Sequence, residues 1–429
     1  MHDIHTGEVT GTAFGGQGII RHEGLVIFIP FAAIGDTVRF RIVKCKKNFA
    51  FGELVDIITP STQRITAKCP YFGTCGGCQL QHLNYDTQLQ YKRQWIEDAL
   101  KRQAGLHDAI VPNVEPATLQ WAYRRRIVLT LKPYNDSYQA GYFSLEGTSL
   151  INVQQCPIFT NETDPTIAQV QALVARLKRT DASDGKVTIL KDKGAHFLLH
   201  FHFKVMPTNA QQVLNEAMTS FASFSGIVAT APGRSIRVGS FETTLTIGNL
   251  TFEFSPQAFI QNHPEQSLNI YTSICKYAAM CAPKKILDLY CGIGISSLML
   301  AQQSAHVIGV EANAEAVRLA TENAKNNQIT QASFHKANVE AVINNLLKKE
   351  APDLIIVNPP REGLYPQVVD AIIKNPPKHL IYISCMPPTL ARDLKMLCQN
   401  TYQLDSIKGY DMFPQTAHVE TFATLCKIF

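Results

Sequence analysis

The sequence predicts a multidomain chain: an N-terminal small β-barrel, an α+β middle carrying a metal site, and a C-terminal open, doubly wound α/β domain. Three observations lead there. Residues 7–58 are rich in β-branched and apolar residues cut by glycines, which reads as a series of short strands. A Cys/Gly-rich stretch, Cys69-x5-Cys75-Gly-Gly-Cys78, comes next. From Ile286 onward, short apolar runs alternate with helix-length amphipathic runs. That alternation builds a mostly parallel sheet with helices on both faces.

At 429 residues the chain exceeds what one compact core supports, so more than one domain is expected. A hydrophobic share of 45% with 17% charged residues excludes a disordered chain. The longest apolar run, Ile286 to Ala301, is broken by Asp288 and by glycines, so no membrane span is expected. Met1-His2-Asp3 opens no basic-then-apolar leader, and a cytoplasmic monomer is the expectation. Eleven cysteines, an odd number, do not read as a disulfide framework. Six of them (Cys45, Cys275, Cys281, Cys291, Cys398 and Cys426) are expected to be small buried hydrophobes.

The net charge of +5 has one address. Residues 61–133 hold ten Lys/Arg against five Asp/Glu, while residues 1–60 balance at six of each. This predicts a basic face for a polyanion.

In chain order, strands are read at Leu25–Phe31, Val38–Val43 and Phe49–Ile58, with a glycine turn at Gly15–Gly18. Four or five such strands suit an OB-like barrel, a module that often grips nucleic acid. Asp86–Ala104 has helical spacing, with Leu89, Trp95, Ile96, Ala99 and Leu100 available for one face. Residues 121–255 read as alternating strands with helices near Ile167–Leu177 and Asn209–Phe221. The last third reads as strands at Ile286–Tyr290, Val307–Glu311, Leu354–Asn358 and Leu380–Cys385, with helices at Ser296–Gln303, Glu315–Asn326, Val339–Lys349, Val368–Lys374 and Pro388–Cys398.

The chemistry gathers at the carboxyl ends of those last strands. Asp288-Leu-Tyr290-Cys-Gly292-Ile-Gly294 leaves a strand and enters a helix, and Glu311 ends the next strand. That offset suits ribose hydroxyls. Ile295-Ser296-Ser297 after Gly294 supplies no third glycine, which argues against a dinucleotide. Asn358-Pro359-Pro360 caps one buried strand and Ser384-Cys385-Met386-Pro387-Pro388 another. A cysteine just before a helix N-terminus is expected to have a lowered pKa, which makes Cys385 a nucleophile candidate. Glu420, in His418-Val-Glu420, is a candidate general base.

The Asp-x-x-x-Gly-x-Gly loop resembles class I S-adenosylmethionine-dependent methyltransferases. With Phe259-Ile-Gln261-Asn262, Ser384-Cys385-Met386-Pro387, Thr389-Leu-Ala-Arg-Asp393, Asp411-Met-Phe-Pro414 and His418-Val-Glu420-Thr421, the chain resembles the RNA (uracil-5-)-methyltransferase family along essentially its whole length. Residues 7–58 resemble the TRAM barrel of many members. The resemblance implies Cys385 as nucleophile, Glu420 as base, and Gln261, Tyr290, Gly292, Gly294, Ile295, Glu311, Asn338 and Asn358 around S-adenosyl-L-methionine. Three departures touch base preference and rate: Asn358 stands where the family usually has Asp, Met386 where it commonly has Asn, and Ile295 where it has a polar residue.

Cys69, Cys75 and Cys78 form a metal-ligand spacing, with Cys156-Pro157 as the fourth candidate. Four thiolates suit zinc or an iron–sulfur cluster. The chain also resembles a branch of the family whose members bind a [4Fe-4S] cluster through this pattern, which implies such a cluster here. Trp121-Ala-Tyr123-Arg124-Arg125-Arg126 mixes stacking and phosphate-binding side chains. The expected activity is methylation of uridine C5 in structured RNA, 23S rRNA ahead of tRNA. The alternatives are cytosine-C5 or amine methylation of RNA, or an RNA-binding protein with a decayed site. The expected domains are 1–58 (TRAM-like barrel), 59–250 (iron–sulfur and RNA-binding) and 251–429 (methyltransferase).

Overall fold

The computed structural model describes residues 3–303 and 305–428; the opening Met1-His2 lies outside them. Six strands, one more than the most expected, build the N-terminal module: β1 (Ile4–Glu8), β2 (Gly11–Ala13), β3 (Gln17–His22), β4 (Leu25–Pro30), β5 (Thr37–Cys45) and β6 (Phe49–Thr59). Their order is β1-β5-β6-β4-β3-β2, and β1 also touches β3. Alternate side chains (Ile20, Ile27, Ile29, Val38, Phe40) fill its core, as period-2 patterning requires. Cys45 is exposed.

A loop carrying the first three motif cysteines leads to α1 (Tyr85–Ala99), capped by the Asn84 side chain, which accepts from Thr87 N. A π turn over Leu100–Ala104 ends it at Gly105. This helix does not stay with the middle of the chain. Ile96, Ala99 and Leu100 are buried in one core with Leu287, Leu289, Ile355 and Leu394 of the C-terminal domain.

The middle forms a second sheet from β7 (Arg126–Tyr134), β8 (Ser137–Phe143), β9 (Leu150–Ile151), β10 (Gly185–Lys191), β11 (Phe197–His202), β12 (Phe224–Ala231) and β13 (Arg234–Gly239), in the order β13-β12-β11-β10-β7-β8-β9. Helices α2 (Thr166–Val174) and α3 (Ala210–Ser220) cover one face through Ile167, Val170, Leu173, Val213 and Leu214. A hairpin, β14 (Thr243–Ile247) and β15 (Leu250–Phe254), joins this unit to the last one.

That last unit comprises α4 (Pro264–Cys281), β16 (Lys285–Leu289), α5 (Ile295–Ala301), β17 (His306–Glu311), α6 (Ala314–Asn326), β18 (Ala332–Lys336), α7 (Val339–Glu350), β19 (Leu354–Val357), α8 (Pro366–Lys374), β20 (His379–Ser384), α9 (Pro387–Leu397), β21 (Tyr402–Tyr410) and β22 (Glu420–Lys427). The sheet order is β18-β17-β16-β19-β20-β22-β21. The first five strands are parallel, and β22 slots antiparallel between β20 and β21. Burial alternates between faces. Leu287, Ile355, Leu380 and Tyr382 pack on the α7–α9 side, while Ile286, Leu354, Ile356 and Ile381 pack on the α4–α5 side. Both faces are apolar because helices cover both.

Two expectations from composition change here. Among the six cysteines expected to be buried, only Cys291 is fully so; Cys275, Cys281, Cys398 and Cys426 are half-buried. Three of the ten cations of residues 61–133 turn inward, and four more form ion pairs at the surface. Lys92 is fully buried 2.6 Å from Asp411, and Arg64 binds the buried Asp36 at 2.7 Å. Arg124 turns toward the motif cysteines, while Lys68, Arg93, Arg102 and Lys132 each pair with a carboxylate. Residue counting sees charge but not the partner that folding supplies.

Candidate active site and four-cysteine pocket

Strands β16, β17, β19 and β20 end at one edge, and their loops enclose a cleft of about 600 Å³. Gln261, Tyr290, Gly292, Glu311, Asn338, Asn358, Cys385 and Glu420 all line it. The cofactor-loop geometry is held by carboxylates. Asp288 accepts from Ser296 Oγ at 2.7 Å and Ser297 Oγ at 2.6 Å, and Glu311 accepts from Gly292 N at 3.2 Å. Burial pushes the Asp288 carboxyl up to about 6. Tyr290 has φ of 61°, a strained conformation for a bulky residue. Its buried hydroxyl has no protein partner. Asn338 caps α7 by position, yet its side chain makes no cap hydrogen bond and faces the cleft.

Two further expected cofactor residues sit beside the cleft. Ile295 is buried and borders a smaller cavity of about 60 Å³ that shares Phe259, Gln261, Tyr290, Gly292 and Asn358 with it. Gly294, at φ 82°, starts α5 against Phe334; a Cβ there would meet the ring at 2.8 Å.

Cys385 and Glu420 face the same cleft from adjacent antiparallel strands, since Ser384 pairs with Thr421 in the register. Glu420 is almost fully buried, and burial pushes its carboxyl up to about 8. Cys385 departs from expectation: burial and the nearby Glu420 push its thiol up to about 12, while Arg361 pulls the other way. Burial is the leading cause and Glu420 the second; α9 opens with Pro387 and Pro388, which lack N–H groups to offset them.

Sequence reasoning missed Arg361 and His418 as cleft residues. Arg361 Nη2 donates to His418 Nε2 at 3.1 Å, and both line the cleft with Phe259, Phe413 and Tyr365. Burial, then Arg361, lowers His418 to about 4. The signal was available: Arg361 follows Asn358-Pro-Pro directly, and His418 stands two residues before Glu420, the spacing that returns a strand side chain to the same face.

Cys69, Cys75, Cys78 and Cys156 converge from two distant segments on a cavity of about 50 Å³, shared with Arg124, Tyr71 and Tyr142. Burial raises all four thiols, Cys78 to about 12 and Cys156 to about 11, and Arg124 opposes the rise at Cys75, Cys78 and Cys156. No three of these sulfurs lie within 4.8 Å of one another among the described residues. The acidic Glu242, Glu253 and Glu322 do lie that close together, and Arg318 bonds two of them.

An open α/β sheet with a glycine loop and a ribose-positioned carboxylate at its carboxyl edge defines a nucleoside-cofactor transferase of the class I methyltransferase type. Residues 84–428 match the tRNA (Uracil-5-)-methyltransferase family, and residues 8–55 match the TRAM domain. An uncharacterised RNA methyltransferase of Protochlamydia amoebophila is 48% identical over 99% of both chains. One from Bacillus cereus is 33% identical over 96% of this chain and 94% of its own. The crystal structure of Pyrococcus abyssi tRNA (uracil-54, C5)-methyltransferase in complex with S-adenosyl-L-homocysteine matches with a TM-score of 0.74 at 25% identity, covering 98% of this chain and 99% of that one. The chain belongs to the tRNA (uracil-5-)-methyltransferase family, as an S-adenosylmethionine-dependent RNA methyltransferase with an N-terminal TRAM domain. Among the described residues, no helix is long and apolar enough to cross a membrane.

Proposed function

We propose that the protein methylates C5 of uridine in structured RNA through a covalent adduct on Cys385. The observation that carries this reading is the pairing of a thiol at Cys385 with a buried carboxyl at Glu420 on one cleft that also holds Gln261, Glu311 and Asn338. Uracil C5 is a weak nucleophile. Addition of the Cys385 sulfur to C6, its thiol proton passing to solvent, moves the C5–C6 π electrons toward the C4 oxygen and makes C5 nucleophilic. Bound S-adenosyl-L-methionine supplies an electrophilic sulfonium methyl, and Gln261, Tyr290, Gly292, Glu311, Asn338 and Asn358 are the residues that would hold it. Glu420 then removes the C5 proton, the C6–S bond breaks, and the C5=C6 bond returns. A base inside an RNA stack must leave it to reach Cys385, and the exposed Phe259 at the cleft offers a stacking surface.

Burial holds both groups toward the neutral form, and Glu420 acts as base in its ionised form. A carboxyl at about 8 and a thiol at about 12 avoid two like charges side by side in a dry cleft. The Arg361 guanidinium stabilises the thiolate once RNA is bound.

The four cysteines fit a [4Fe-4S] cluster. Four convergent thiols are its donor set. A quartet in which no three sulfurs lie within 4.8 Å of one another is wider than the roughly 3.8 Å spacing that one tetrahedral zinc at about 2.3 Å imposes. A buried cation, Arg124, faces the cavity and offsets the charge of such a cluster. It would brace this region rather than supply electrons, because thiolate chemistry requires none.

The TRAM-plus-cluster arrangement favours 23S rRNA. The likeness to a tRNA (uracil-54, C5)-methyltransferase supports tRNA as a second reading. Nucleoside-resolved mass spectrometry of both RNAs, from a strain lacking the gene and from strains complemented with wild type or Cys385→Ala, decides it. Loss of one 5-methyluridine from 23S rRNA, restored only by wild type, is expected. Loss from tRNA selects the second substrate, and loss of a methylcytosine or methyladenine instead overturns uridine C5.

A further inference from the structure

The segment between β21 and β22, Asp411 to Val419, carries Phe413 and His418 into the cleft and delivers Glu420. It has no regular structure, its polar residues Asp411, Gln415 and Thr416 are buried, and Gln415 sits at φ of 71°. A strained, buried, irregular strap persists only when its surroundings over-determine it.

Those surroundings are the cysteine loop and its neighbours. Gln79 and Leu80, directly after Cys78, donate their backbone N–H groups to Gln415 O at 3.2 and 3.0 Å. Gln79 Oε1 accepts from Ala417 N at 3.1 Å, while its Nε2 donates back to Gly76 O, inside the Cys75–Cys78 turn, at 2.8 Å. Gln88 of α1 closes a reciprocal pair with Gln415, and Tyr123, next to the cavity-facing Arg124, donates to Pro414 O at 3.0 Å. Lys92 anchors the near end through Asp411 and Phe413 O. Leu80 and Ala417 also share one hydrophobic cluster.

We propose that the four-cysteine loop is the strut of the catalytic strap: Gln79 is a positioning residue that transmits the fixed shape of the Cys75–Cys78 turn to Gln415 and Ala417, and so holds His418 and Glu420 in register with Cys385. This rests on reading the cysteines as a metal site and Glu420 as the base. Losing the metal then slows proton removal and product release, not formation of the covalent adduct.

Hydrogen exchange on the full-length wild-type protein, metal-loaded against chelator-treated, reads the strut directly. Exchange at the Gln415–Ala417 amides is expected to quicken at least about tenfold on metal removal, with β16 and β19 unchanged. Equal protection in both states, or a uniform rise throughout the chain, overturns the proposal. In the loaded enzyme, Gln79→Leu is expected to slow turnover about 10–100-fold, to accumulate the covalent adduct on uridine RNA, and to leave KM for S-adenosyl-L-methionine unchanged. Gln79→Glu, which keeps the acceptor for Ala417 but loses the donor to Gly76 O, is expected to stay slow, and wild-type turnover in it overturns the link to the turn. Wild-type turnover in a Gln79→Leu protein that retains its metal also overturns it. The underlying readings fail separately: Glu420→Gln without adduct accumulation removes the base, and anaerobic protein without metal removes the cluster.

Discussion

The cleft and the four-cysteine pocket both hold partly buried thiols, yet their ionisable neighbours differ. Cys385 shares its cavity with the Glu420 carboxyl, which together with burial holds the thiol in its protonated form. Cys75, Cys78 and Cys156 face Arg124, whose charge opposes the effect of burial. The cavities differ as well, about 600 Å³ against about 50 Å³. A nucleophile has to stay neutral until a large substrate arrives. A metal-ligand set has to carry several negative charges permanently in a small space, which needs a fixed cation. On the proposed reading, burial raises the thiols at both sites and their neighbours divide the roles: Glu420 and Arg361 beside Cys385, Arg124 beside the quartet.

Removing the nucleophile tests the contrast most severely. Cys385→Ala is expected to cut turnover at least about 10⁴-fold and to abolish the adduct with 5-fluorouridine RNA, leaving the visible absorbance of the metal site intact. Cys156→Ala should do the reverse, losing the absorbance and keeping the adduct. A shared outcome for both variants would erase the distinction.

Glu420→Gln comes next, with turnover down about 10²–10⁴-fold and adduct accumulating on ordinary RNA. The raised carboxyl also makes a pH prediction. In the unfolded chain this group ionises near 4.5, and in the cleft only near 8. Folding is therefore penalised as pH rises between those values, and each tenfold difference in proton affinity between the folded and unfolded chain is worth about 1.4 kcal/mol. Glu420→Gln, which mimics the protonated form, should melt higher than wild type at pH 8 and alike at pH 4, as followed by circular dichroism. Turnover of wild type should climb with pH toward about 8 as the base ionises.

Arg124→Met gives the smallest effect and addresses the pocket alone. Loss of the compensating charge should weaken metal retention about 10–100-fold against a chelator, with adduct formation by Cys385 unchanged.

Much of the catalytic domain was legible from residues 286–398, because buried parallel strands and amphipathic helices write distinct periodicities into the chain. Cys385, Glu420, Asn338 and Asn358 were legible because each stands at a strand or helix boundary of that pattern. The thiol's protonation was not, since the helix rule says nothing about burial in the cleft or about Glu420 arriving from β22. Gly294 packs against Phe334, which lies 40 residues away in sequence, a contact the loop motif does not announce.

By itself, the sequence determined the order of the modules, the thiol donors of the four-cysteine pocket and most residues of the cleft, Arg361 and His418 excepted, with Gln261 and Asn338 reached through the family resemblance. Only the tertiary structure decided where the surplus positive charge went. Lys92, Arg64 and Arg124 form an apparent basic run with their neighbours, yet folding brings Asp411, Asp36 and the cysteine quartet to them from up to 319 residues away. It likewise decided that α1 belongs to the catalytic sheet and that the loop after Cys78 touches the strap before Glu420. Contacts between distant segments carry no signature in either segment alone, because each is an ordinary stretch of chain until the other is packed against it.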